Sequence, residues 1–88
     1  MKIKSKYKVR QVADENIVLV QGRNPGDMST VIALNETSLY LWNNLRDREF
    51  EQADVVRLLT ERFDVDETTA AKDASEWIQT LRDNSILD

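Results

Sequence analysis

The sequence of 88 residues contains no cysteine and no histidine. The absence of cysteine excludes disulfides, thiolate metal sites and cysteine nucleophiles. The absence of histidine removes the side chain that titrates nearest neutral pH, which is also the commonest zinc ligand. These two absences argue against a free-standing enzyme, and we expect the chain to use no metal and no cofactor.

Long apolar runs are also missing. No stretch approaches the roughly 20 apolar residues that span a bilayer, and the basic N-terminus lacks the apolar segment of a secretory signal. A charged fraction of 32% together with two tryptophans is typical of a soluble folded domain and not of a disordered chain. We therefore expect one cytoplasmic domain, residues 1–88, with no membrane partner.

Glycine and proline are scarce: both glycines and the single proline fall in the segment 22–26, which is the clearest predicted loop. On either side of it the sequence predicts strands at Tyr7–Val12, Ile17–Val20 and Met28–Leu34. The four apolar residues of the second run predict a buried strand. Short connections favour an antiparallel meander, because parallel neighbours need long crossovers.

Basic residues are concentrated at the N-terminus. The first ten residues carry five bases and no acid, whereas the remainder carries seven bases against sixteen acids. A basic arm on an acidic body is typical of nucleic-acid binding. However, the bases occupy only even positions, and Ile3, Tyr7 and Val9 occupy odd ones. This period of two favours an interpretation as a strand whose basic face lies in water.

The second half of the chain has helical spacing. Asn35 is the predicted N-cap of a first helix, a second helix is predicted over Gln52–Phe63, and a third runs from an Asp66 N-cap to about Asp83. Asn84 is expected to take the left-handed conformation that ends this helix. The third helix carries an apolar stripe that predicts its buried face: Ala70, Ala74, Trp77, Ile78 and Leu81.

The predicted order β-β-β-α-α-α indicates an α+β fold that is winged helix-turn-helix-like, with a three-stranded antiparallel sheet followed by three helices. Winged helices commonly bind DNA, and a small DNA-binding regulator is one alternative. The predicted third helix nevertheless carries a net charge of −3 between Asp66 and Asp83. Phosphates repel such a helix, so we expect no nucleic-acid partner.

No catalytic constellation stands out. The acids Asp64, Asp66, Glu67 and Asp73 lie close together in sequence, but at the start and polar side of a helix, where carboxylates cap the helix and keep it soluble. Serine and threonine residues have no motif-placed base beside them. The sequence therefore predicts a protein that is not an enzyme.

The best functional feature is a strand edge. In a meander the third strand lies at one edge, where its N–H and C=O groups can pair with an extended peptide. Ala70, Ala71 and Ala74 are small enough to leave room beside that strand, but they equally permit close helix packing, and periodicity does not decide between the two. The same edge can also pair with a second copy, so a self-associating homodimeric module is another alternative.

Segment 31–42, VIALNETSLYLW, resembles the V-x-L-N-x-[ST]-A-x-x-[IL]-[WL] pattern of the PqqD family. This family includes the pyrroloquinoline quinone biosynthesis protein D and related peptide-recognition elements. Segment 58–66, LLTERFDVD, and the terminal SIL at 85–87 fit the same family. The chain departs from members of the quinone pathway at 24–29, at Thr37-Ser38 and at Asn84-Ser85, which favours a different modified peptide.

The resemblance implies a small, non-catalytic peptide chaperone. Such a protein binds the leader of a ribosomally made precursor peptide and delivers it to a modifying enzyme, often a radical SAM enzyme. The leader pairs with the third strand and lies against the third helix. Carried onto this sequence, the strand contacts are Ser29, Thr30, Val31, Ile32 and Ala33, and the helix contacts are drawn from Ala70, Asp73, Ala74, Trp77 and Leu81.

Overall fold

The structure is a computed structural model in which residues 1–20 and 30–88 are described. The predicted loop at 22–26 and the first two residues of the predicted third strand, Met28 and Ser29, lie outside the described residues. The elements follow the predicted order and confirm the α+β class: β1 Val9–Val12, β2 Glu15–Val20, β3 Thr30–Leu34, α1 Glu36–Leu45, α2 Gln52–Arg62 and α3 Glu67–Asp83.

The sheet is a three-stranded meander in the order β1-β2-β3, and both pairs are antiparallel. Ala13 and Asp14 connect β1 to β2 with φ angles of 49° and 68°, the positive values of a type I′ hairpin turn. In the second pair Leu19 lies opposite Val31. The strand order puts β3 at one edge of the sheet, as the short connections predict.

Only one face of the sheet is covered by the helices. Val18 and Val20 are buried, whereas Leu19 between them is 38% exposed. The prediction of a buried second strand was therefore wrong for one of its faces. An antiparallel meander packed on helices from one side leaves its other face in water, and Val31 also lies on that outer face, 55% exposed.

α1 and α3 begin directly after the predicted N-cap residues. The side chain of Asn35 accepts a hydrogen bond from the Ser38 N–H at 2.8 Å, and that of Asp66 accepts one from the Thr69 N–H at 2.7 Å. Each cap satisfies a backbone donor that the first helical turn leaves unpaired. Both predicted N-caps are thus confirmed.

α3 ends at Asp83 as predicted, but the left-handed residue that follows it lies one position later than expected. Asn84 has a φ of −100° and donates its N–H to the carbonyl of Thr80 at 3.3 Å, so it still belongs to the last turn of the helix. The left-handed conformation falls on Ser85, whose φ is 57°. The backbone reverses only after the last intrahelical hydrogen bond.

The core lies between the inner sheet face and the three helices. Trp42 and Phe50 are among its largest buried side chains, and the Phe50 ring lies 6.2 Å from the Trp77 ring between centroids. The predicted stripe of α3 is confirmed as buried, from Ala70 and Ala74 at 0% exposure to Trp77 at 9%.

The two ends of the chain contact each other. Ile3 pairs with Leu87 in an isolated antiparallel bridge, and the Lys4 N–H donates to the Ile86 carbonyl at 2.9 Å. Ile3 and Ile86 are both buried. The apolar tail therefore packs against the N-terminal segment.

Candidate functional site

The free edge of β3 is the first component of the site. β2 pairs with one side of β3, and no other strand in the described ranges pairs with it. The five residues Thr30–Leu34 include no charged side chain and no proline. Charges and proline are the usual devices that block an edge strand, so this edge is open to pairing along its described length.

A groove between β3 and α3 is the second component. Its volume is about 420 Å³. Leu41, Leu59, Trp77 and Leu81 line it with buried apolar side chains. An extended chain that pairs with β3 would therefore place alternate side chains over an apolar floor.

Trp77 is held by packing within the core. It lies on the buried stripe of α3 and contacts the Phe50 ring. Its indole Nε1 is buried and has no hydrogen-bond partner in the part of the chain that the structure describes. The Trp77 Nε1–H is therefore a buried donor beside the groove.

The structure brings five of the ten residues expected to contact a peptide into this groove. They come from β3 and α3: Ile32, Ala33, Asp73, Trp77 and Leu81. Thr30 and Val31 belong to the same edge strand, but their side chains are exposed outside the groove. Ser29 lies outside the described residues.

The two remaining residues, Ala70 and Ala74, are fully buried and do not line the groove. Ala71, by contrast, is half-buried and borders a separate surface depression beside α2. With no side chain beyond Cβ, Ala70 and Ala74 let the backbone of α3 approach the core closely. Their small size contributes to the position of α3 and thereby to the shape of the groove.

Sequence reasoning missed a larger group of groove residues. Glu76 and Thr80 were detectable, because they lie three and seven residues beyond Asp73 and so share its side of the helix. Leu34 was detectable as well, because it lies two residues after Ile32 and so shares its face of the strand. The others come from segments that only tertiary packing brings beside α3: Asn35, Thr37, Ser38, Leu41 and Leu59.

Charge differs between the two edges of the sheet. The charged residues that line the groove are Asp73 and Glu76, both exposed on α3, and no described lysine or arginine lines it. At the opposite edge, β1 includes the exposed Arg10, and the exposed Lys8 directly precedes it. The groove beside Ile32–Leu34 is therefore bordered by negative charge and the edge of β1 by positive charge, whereas the Thr30 end of β3 borders a second depression that Lys4, Lys6 and Arg82 line.

The described ranges contain neither a metal-ligand cluster nor a membrane-spanning helix. No group of three or more acidic residues that could hold a metal ion occurs there. None of the described helices has the length and apolar character that crossing a bilayer requires. The groove is the feature that combines an open strand edge with an apolar floor.

Comparison with known proteins places most of the chain in one family. Residues 15–87 match the family model described as coenzyme PQQ synthesis protein D. The match includes β2, β3 and all three helices. Neither the curated proteins nor the solved structures include a significant match.

Proposed function

This chain belongs to the PqqD family, and we propose that it binds the leader of a ribosomally made precursor peptide by strand addition to β3. Family membership indicates a peptide-binding accessory protein that works with a protein partner. In our proposal the protein performs no chemistry of its own. It holds the leader and presents the rest of the peptide to a modifying enzyme, for which a radical SAM enzyme is the class that the family resemblance implies.

The single observation that carries the proposal is the uncharged edge of Thr30–Leu34 beside the groove, with which no described strand pairs. Main-chain hydrogen bonds to this edge would supply much of the affinity, and the groove would select among side chains. Backbone pairing depends little on side-chain identity. A leader could therefore vary in sequence and still bind, as long as it remains extended and free of proline at the paired positions.

Apolar residues on the outer face of the sheet also support strand addition to β3. A guest strand next to β3 would place alternate side chains on the outer face, beside Val31 and Ala33. Leu19 lies directly opposite Val31 on that face. Apolar guest side chains at these positions would reduce the exposure of Val31, since cross-strand apolar pairs stabilise a sheet by about 0.2–1 kcal/mol each.

Titration of the ¹⁵N-labelled protein with the leader of a precursor peptide encoded beside its gene tests the proposal. We expect amide shifts at Thr30–Leu34 and on the groove side of α3, and none beyond background at β1. A peptide of the same composition in scrambled order is the control. Shifts confined to the basic segment before and within β1 would contradict binding at the groove.

An N-methyl scan of the leader then separates strand addition from other modes. Each leader amide is methylated in turn, which removes one N–H donor and adds a methyl group at the backbone. Strand pairing predicts that affinity falls at every second position, because alternate N–H groups point toward β3. A loss with a three-to-four-residue period would instead indicate a helical guest.

A further inference from the structure

We propose that the groove selects a leader segment with lysine or arginine at the positions that face α3, and that it rejects acids there. This inference rests on the proposed function, because it specifies the ligand of the same groove. The evidence is the combination of an apolar floor with an acidic rim, next to a strand edge that determines how a guest chain alternates.

Alternation decides which guest side chains meet the rim. Ile32 and Leu34 lie on the inner face of β3, and Ile32 lines the groove. A guest strand paired with β3 shares its pleat, so every second guest side chain lies on that inner face and points toward α3. The α3 residues that line the groove on that side include Asp73, Glu76 and Trp77.

Long basic side chains fit both parts of the groove. Their aliphatic stems can cover Leu41, Leu59 and Trp77, while the charged end reaches the exposed carboxylates of Asp73 and Glu76. Carboxylate guest side chains would lie beside two like charges, and no described lysine or arginine lines the groove. The groove therefore distinguishes basic from acidic leaders in two ways, by attracting the basic side chains and by repelling the acidic ones.

The opposite edge of the sheet strengthens the selection. A basic guest strand at β1 would lie beside Lys8 and Arg10, which are exposed, and like charges on neighbouring strands destabilise pairing. The same guest is attracted to the β3 edge and repelled from the β1 edge. Charge thus determines which of the two open edges the leader occupies.

The experiment uses three labelled synthetic peptides of about seven residues, long enough to pair with all of β3. Valine alternates with lysine in the first peptide, with glutamine in the second and with glutamate in the third. Fluorescence anisotropy reports affinity at about 50 mM salt, and amide shifts report the binding position. Attraction by two exposed carboxylates predicts that each lysine-to-glutamate exchange weakens binding by roughly threefold to tenfold.

Two protein variants locate the source of the preference. Asp73→Asn/Glu76→Gln removes the rim charges, and we expect it to bind the three peptides with nearly equal affinity. Glu61→Gln/Asp64→Asn removes the same number of charges from exposed positions outside the groove, and we expect it to keep the preference. Thermal melts establish that both variants fold.

Each outcome decides one of the two proposals. A preference for lysine that disappears only in the rim variant supports the inference. Equal binding of all three peptides at β3, or a preference that both variants lose equally, overturns the inference and leaves the proposed function standing. Absence of β3 shifts with any peptide and with the leader overturns the proposed function itself.

Discussion

Ile3 and Leu87 form an antiparallel bridge, so the tail of the chain pairs with its N-terminal segment and not with the edge of β3. Two backbone hydrogen bonds flank the bridge, from the Lys4 N–H to Ile86 and from the Asp88 N–H to Lys2. A tail of this kind could have occupied the groove in place of a guest. The tail instead packs against the N-terminal segment. The contact that stabilises the fold and the strand edge that we assign to binding therefore lie in different places.

That separation predicts the effect of changing the tail. Ile86 is fully buried, so Ile86→Ala should lower the free energy of unfolding by about 2–5 kcal/mol. Affinity for the leader, measured below the unfolding transition, should not change. Urea denaturation measures the first effect and anisotropy the second. The control is Leu87→Ala, at a half-buried position, for which we expect a smaller loss.

The two tryptophans provide a test of where the peptide lies. Trp77 lines the groove, whereas Trp42 is 1% exposed and does not line it. Trp42→Phe leaves Trp77 as the single indole, and its emission should change when the leader binds, because the polarity around the ring changes. Trp77→Phe leaves Trp42, and its emission should stay constant. An equal change in both folded variants would contradict binding at the groove.

Asp66 predicts a dependence of stability on pH. Hydrogen bonding by the Thr69 side chain, and then by the Thr69 backbone N–H, lowers the pKa of Asp66 below its ordinary value of 3.8. The carboxylate therefore contributes stability that is fully present above the unfolded pKa and is lost as pH falls through the lower folded pKa. Asp66→Asn keeps a capping acceptor without titrating, so its melting temperature should fall less than that of the parent below about pH 4. Identical pH profiles for the two proteins would exclude this contribution.

The β1–β2 turn predicts a stabilising substitution. Ala13 has a positive φ of 49°, which an L-residue other than glycine, asparagine or aspartate adopts at a cost of about 1–2 kcal/mol. Asparagine tolerates this conformation, so Ala13→Asn should raise the free energy of unfolding by roughly 0.5–1 kcal/mol. The same change at Ala53, an exposed position in α2, should lower stability, because asparagine is the poorer helix former. A gain at both positions would mean that the turn geometry is not its cause.

The charge of α3 makes a prediction about DNA. Asp73 and Glu76 are exposed on the helix that would occupy the recognition position of a winged helix, and between Asp66 and Asp83 the net charge is −3. We expect no salt-sensitive retention on duplex DNA at about 50 mM salt, where weak screening leaves attraction to phosphates strong. Retention that falls steeply with added salt would instead favour a small DNA-binding regulator. Circular dichroism confirms that the loaded protein is folded.

Local patterns in the sequence were sufficient to predict two helix starts and the buried face of α3. The caps at Asn35 and Asp66 were predictable because each places a short polar acceptor three residues before a backbone donor. The buried stripe of α3 was predictable because apolar residues at helical spacing share one face. Such rules act within about one helical turn, and no distant contact is needed to apply them.

Predictions failed where burial depended on more distant neighbours. Leu19 belongs to an apolar run, yet it is 38% exposed, since the helices cover only the other face of the sheet. The left-handed residue is Ser85 and not Asn84, because the Asn84 N–H still donates to the Thr80 carbonyl and keeps the cap residue in a right-handed conformation.

The amino-acid sequence by itself determined the element order, the N-caps Asn35 and Asp66 and the buried face of α3, because these follow from spacing and local hydrogen bonding along the chain. Only the tertiary structure decided that the tail pairs with Ile3, that Leu41 and Leu59 join Trp77 in one groove, and that Asp73 and Glu76 border the open edge of β3. Those relationships join residues far apart in sequence. They arise when apolar faces pack together, and no local pattern records which faces will meet.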